Sequence, residues 1–229
     1  MEAEHPLRII LEDAARGRFP APDGGVRVLP PPEGRSDAVV AFTAHHVIAA
    51  DVSAEEVRRR LPETDLGAPL SAGFLVWLGD RLGSPPGSVD IVLAARGLSG
   101  DEPELALREV PLGTHERVER AARYREHLSV YADLDGAAVI ALGCGLAGRR
   151  ELALEIEGRE RGRGLGRLLI RSARTLIPRN EVVFAQVAGG NAASLRAFLA
   201  AGFSPIGSEV LFLRGDRAVV TSDPVPFKD

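Results

Sequence analysis

The chain has a single cysteine, Cys144, a single lysine, Lys228, and no uncharged run longer than 14 residues. One thiol excludes an internal disulfide and a structural zinc site that needs several thiolates, and it fits a reducing compartment. The two longest uncharged runs, Leu66 to Gly79 and Val182 to Leu195, fall short of the roughly 20 residues a membrane-spanning helix requires. The start, Met1-Glu2-Ala3-Glu4-His5, is acidic where a secretory signal is basic and then apolar. A cytoplasmic protein without membrane attachment is expected. With all basic residues but one being arginine, a nucleotide site built on a phosphate-binding lysine is hard to assemble, and Walker-type NTPases are disfavoured.

What is present describes a soluble globular protein with material for a real core: 229 residues, 45% of them hydrophobic and 26% charged. This excludes disorder and coiled coil. A net charge of −4 and an aromatic content of 5% argue against nucleic-acid binding, and no cluster of side chains has metal-ligand spacing.

The first half reads as α/β. Val26 to Leu29 and the apolar run Ala38 to Ala50 read as strands, the second carrying His45 and His46. Ser53 and Glu56 have capping-box spacing at the start of a short helix, and Ser71 caps another whose stripe of Phe74, Leu75, Leu78 and Leu82 ends at Gly83. Val89 to Ala95 is a buried-strand run. The polar stretch Gly97 to Pro103 then suggests a boundary, with residues 1–100 as an N-terminal α/β region and 101–229 as a second domain.

In the second half, Leu105 to Val110 reads as a strand, residues 114 to 126 as a helix, and Val130 to Leu142 as a hairpin around Asp135-Gly136. Leu152, Leu154 and Ile156 alternate with Glu151, Glu155 and Glu157, so a strand with one apolar face places three carboxylates on the other. There follow the glycine-rich Arg161-Gly162-Arg163-Gly164-Leu165-Gly166 and a helical stripe that ends at Pro178. Val182 to Val187 is a further strand, Asn191 a helix cap, and Ile206 to Leu213, interrupted near Gly207, a last hairpin.

From Arg149 to Arg179 nine arginines face four glutamates, a local charge of +5 that leaves −9 elsewhere. A glycine loop opening a helix presents unpaired N–H groups and a partial positive charge, so a polyphosphate is the natural ligand. The loop fails as a dinucleotide fingerprint, because glycine would be required where Arg167 stands.

Leu154-x-Ile156 followed by Arg161-x-x-Gly164-x-Gly166 resembles motif A of the GCN5-related N-acetyltransferases (GNAT), which bind acyl-coenzyme A. Asn191 to Ser194, Phe198 and Gly202-Phe203 resemble their motif B at the expected distance downstream. The resemblance covers about Leu105 to Leu213 and implies the GNAT fold, a mixed-sheet α/β (α+β) architecture, with an additional N-terminal region that could be a degenerate copy of the fold or a lid. It implies acetyl-CoA as cosubstrate and direct acyl transfer to a primary amine of a small molecule or peptide. Gly162, Gly164 and Gly166 would then hold the pyrophosphate with Arg161, Arg163 and Arg167 nearby, while the backbone of Leu154 to Ile156 pairs with the pantetheine arm and Asn191 contacts the coenzyme. Phe198 stands where the family often has a tyrosine that protonates the departing thiolate. The amine must lose its proton to a carboxylate, an imidazole or a water chain, and Glu155 and Glu151 are the candidate carboxylates. The missing tyrosine leaves a second possibility, a non-catalytic acyl-CoA sensor. His45, His46 and Cys144 read as structural, and Phe74 and Trp77 as core.

Overall fold

A computed structural model describes residues 4–62, 65–113, 115–158 and 164–215. The strands β1 (Val26–Leu29), β2 (Ser36–Phe42), β3 (His45–Ala49), β4 (Asp90–Arg96), β5 (Leu107–Val110), β6 (Glu126–Asp133), β7 (Ala138–Cys144), β8 (Arg150–Ile156), β9 (Val182–Ala188) and β10 (Ser204–Leu213) form one mixed sheet. Their order is β1-β3-β2-β10-β4-β9-β8-β7-β6-β5. The helices are α1 (Pro6–Ala15), α2 (Ala54–Arg60), α3 (Ala72–Leu82), α4 (Glu116–Tyr124), α5 (Leu165–Thr175) and α6 (Ala192–Ala200).

Strand order shows how the two halves of the chain are joined. β4, from the first hundred residues, pairs along its whole length with β9, and β10, from the end of the chain, lies between β4 and β2. Each half thus lends a strand to the other, and no seam in the sheet corresponds to the polar stretch after Gly97.

Directly opposed residues share a face, so the register assigns helices to sides. α1 packs Leu7, Leu11 and Ala14 onto the face carrying Val40, Val92, Ala94 and Phe184. α4 lies on this same face, its Arg117 reaching Glu155 and the following Arg125 reaching Glu151. The opposite face is covered by α2 and α3 over Val39, Ile48 and Val210, and by α5 and α6 over Leu93, Leu152 and Ala185.

The run 38–50 is two antiparallel strands rather than one, because Ala44 adopts φ 51° and turns the chain between Phe42 and His45. Ser204–Leu213 is one strand rather than a hairpin: the register shift between Pro205 and Gly207 is a bulge, which flips the side-chain alternation without reversing the chain. α1 carries a cap that the sequence pattern does not advertise, His5 Nδ1 accepting from the Leu7 N–H at 3.1 Å. Ser53 and Glu56 make the expected capping box, and Gly83 closes α3 at φ 67°.

Candidate functional site

β8 and β9 are parallel neighbours, yet they pair at one point only, Glu151 opposite Phe184. β8 is held on its other side by β7 from Arg150 to Ile156, and β9 by β4 from Val182 to Ala188. Anchored outward, the two strands diverge beyond the junction. The backbone of Ala153 and Leu154 on the β9 side therefore has no ladder partner, a condition that interior strands avoid unless something else pairs with them. The opening is a cleft of about 210 Å³. Leu152, Leu154, Val187, Ser194 and Phe198 line it from the α5/α6 face, and Asp90, Arg117, Arg120, Tyr124 and Gln186 from the α4 face. The cleft passes through the sheet.

A buried ionic cluster holds the junction. Arg149, fully buried, gives both terminal nitrogens to Glu209 (2.9 and 2.6 Å) and its Nε to Glu151 at 2.8 Å. Arg125 Nε lies 2.8 Å from the other Glu151 oxygen, and Arg125 Nη2 donates to Gln186 Oε1 at 2.8 Å. Arg149 also stacks on Phe184 at 5.2 Å. Burial disfavours the charged forms, but the Glu209 and Glu151 charges outweigh it at Arg149, whose pKa is raised. The Arg149 and Arg125 charges likewise outweigh burial at Glu151, whose pKa is lowered. The cluster ties β8, β9 and β10 together where the sheet begins to split.

These surroundings separate the two glutamates. Glu151 is 1% exposed, held between Arg149 and Arg125 and kept ionised. Glu155 pairs with Arg117 at 3.2 Å, with both side chains about one-third exposed (34% and 32%), on the α4 side of the splay. Alternation alone makes the two equivalent, because the partners that differ come from α4 and β10.

Leu154 lines the cleft, and Ile156 and Leu154 both pack against the core under α5. Gly164 begins α5 at φ 80° with no side-chain cap, so the helix N-terminus is left to other acceptors. A Cβ at Gly166 would meet Ala197 and Ile156 at 3.4 Å, so α5 packs closely on α6 and β8 at this point. Asn191 Oδ1 accepts from Ser194 N at 3.1 Å as a helix cap while the residue also lines the cleft. Phe198, 5% exposed, meets Phe203 edge to face at 5.0 Å and forms part of the cleft wall. Arg161, Gly162 and Arg163 lie outside the described residues.

The arginine excess is less free than its count. Arg149 is in the ionic cluster, and Arg174 is buried, donating to Arg96 O at 2.9 Å and to Ala201 O at 2.5 Å. Arg150 pairs with Glu181, Arg171 with Glu104 and Arg179 with Asp101, while Arg167 lies 3.7 Å from Glu104. Local counting missed this because Glu104, Asp101 and Glu209 lie far away in sequence. It also missed Asp90, Arg117, Arg120, Tyr124 and Gln186, whose only signal is tertiary. Among the described residues no group of three or more His, Cys, Asp or Glu could hold a metal ion, and no helix is long and apolar enough to cross a membrane.

No protein-family model and no curated protein matches the sequence. Solved structures do. A GNAT-family protein from Novosphingobium aromaticivorans is 22% identical, with 57% of this chain and 66% of that one covered and a TM-score of 0.40. A GCN5-related N-acetyltransferase from Kribbella flavida is 17% identical (62% and 64% covered, TM-score 0.37). A tandem GNAT protein from the clavulanic acid biosynthesis pathway is 15% identical (67% and 60% covered, TM-score 0.36). The chain spans less than two thirds of the length of each. With a mixed sheet split between two parallel strands, and the strand β8 followed in the chain by the helix α5, the chain has the fold of the GCN5-related N-acetyltransferases together with an additional N-terminal α/β region.

Proposed function

We propose that the protein is an N-acetyltransferase that moves an acetyl group from acetyl-CoA to a primary amine by direct attack in a ternary complex. The observation that carries this is the through-sheet cleft at the one-point β8/β9 junction. An extended ligand with amide groups can satisfy the unpaired edge of β8, entering from the α5/α6 face, while an amine approaches the same point from the α4 face. The start of α5 at Gly164, without a side-chain cap, suits the diphosphate, with Arg167 in the first turn of the helix; the family resemblance assigns Arg161, Gly162 and Arg163 to the same group. Asn191 borders the coenzyme path.

In the transfer, the amine nitrogen bonds to the acyl carbon and the carbon–sulfur bond breaks. Glu155, paired with the cleft-lining Arg117 on the acceptor side, takes the amine proton. A main-chain N–H of β8 polarises the thioester oxygen as charge develops there. Phe198 cannot supply a proton to the thiolate, but Tyr124 lines the same cleft and carries the phenol for that step. The catalytic unit, residues 101–229, takes Asp90 of β4 into its wall, so it works with the N-terminal region rather than beside it.

Calorimetric titration with acetyl-CoA, followed by thiol-release assays with a panel of primary amines, tests this reading. Saturable binding and turnover are expected. Absence of binding at high micromolar coenzyme overturns it. Phe198 favours one alternative, an acyl-CoA sensor, which binding without turnover on any amine would select.

A further inference from the structure

A second cavity, of about 310 Å³, lies in the N-terminal region, away from the split in the sheet. It sits on the face covered by α2, beside the parallel pair β1 and β3, with Val26, Val28, Val57, Leu61 and Pro69 in its wall. His46 stands in the same wall and is 6% exposed. Its backbone N–H donates to Gly25 O at 2.9 Å, but among the described residues its imidazole has no hydrogen-bond partner. The next residue along β3 contrasts with it: His45 Nδ1 lies 2.8 Å from Asp23 Oδ1.

Burial, with a smaller contribution from His45, holds the His46 pKa below the usual histidine value, so at neutral pH the ring is uncharged and offers one donor and one acceptor. A buried polar group without a partner is rare in a folded chain, and this one opens on a space walled by aliphatic side chains, with Arg58 and Asp65 also in its lining, instead of being sealed in the core. A cavity of about 150 Å³ accommodates benzene, so this one has room for a substituted ring. We propose that it is a binding site for a small, uncharged, mainly apolar molecule bearing one hydroxyl group, of alkylphenol size, with His46 as its polar contact. The site is independent of the acyl-transfer reading, since none of its wall belongs to the β8/β9 cleft.

The full-length protein is titrated with 4-ethylphenol and with ethylbenzene, observed by NMR at the histidine Cε1–H resonances, with His46 assigned from its loss in His46→Leu. The expected result is saturable binding of 4-ethylphenol that moves the His46 signal, and at least about tenfold weaker binding of ethylbenzene, because the latter leaves the imidazole unpaired. His46→Leu should erase that preference, and Leu61→Trp, which fills the space from its rim, should abolish binding of both. Equal affinity for the two molecules, a stationary His46 signal, or no saturation by about 1 mM overturns the proposal. The difference in affinity between the two molecules on the wild-type protein is read without either variant, so it tests the proposal even if a variant fails to fold.

Discussion

Replacing Arg149 with methionine removes the cation at the centre of the junction while keeping an apolar stem of similar reach. Glu209, 1% exposed, would lose both of its Arg149 hydrogen bonds, of 2.9 and 2.6 Å, whereas Glu151 would keep Arg125 and the Leu146 N–H at 3.3 Å. Stranding a buried carboxylate in this way costs about 3–5 kcal/mol. At ~2–4 °C per kcal/mol for a chain of this size, the melting temperature should fall by roughly 6–20 °C. Arg149→Met combined with Glu209→Met removes both charges and should recover most of the loss. The acid limb offers a second reading. The lowered pKa of Glu151 supplies stability that is present above the ordinary glutamate value near 4.5 and lost as pH falls through the folded value. Removing Arg149 takes away the stronger of the two charges that lower it, so stability should decline less steeply below about pH 4.5 in the variant. Urea unfolding and thermal melts over pH 3–7 measure all of this. A single variant within about 1 kcal/mol of wild type, or a double variant weaker than the single, refutes the account of the cluster.

Gly164→Asn should keep acetyl-CoA affinity within a few-fold, because asparagine tolerates φ 80° and a Cβ there meets nothing within 4 Å. Gly164→Glu should lower that affinity by roughly 100-fold or more, with an unchanged far-UV circular dichroism spectrum, by placing a carboxylate against the diphosphate. Glu155→Gln should reduce amine acetylation by about 10²-fold or more with coenzyme affinity preserved; wild-type turnover in that variant would exclude Glu155 as the base. Residues 101–229 expressed alone should be insoluble or lack dispersed NMR signals, because β9 and β10 both lose β4, whose Val92 and Leu93 are fully buried. A well-dispersed spectrum from that fragment would show that the exchanged strands are dispensable.

Local patterns determined most of the elements. The Leu152-Leu154-Ile156 alternation gives β8, the stripe after Gly164 gives α5, and Ser53, Ser71 and Asn191 cap their helices, because each depends on contacts within a few residues. A turn at Ala44 and a bulge before Gly207 escaped, since neither residue type at its place demands the conformation it adopts without the neighbouring strands. Sequence alone also placed the glycine loop between strand and helix. What only the tertiary structure decided is which charges are free. Glu151 and Glu155 share one strand face, yet Arg149, Arg125 and Glu209 seal the first into the junction, while the second, paired with Arg117, stays partly exposed. The exchange of β4 and β10 between the halves is likewise tertiary, because strand order depends on backbone pairing across a hundred residues, and side-chain periodicity carries no record of it.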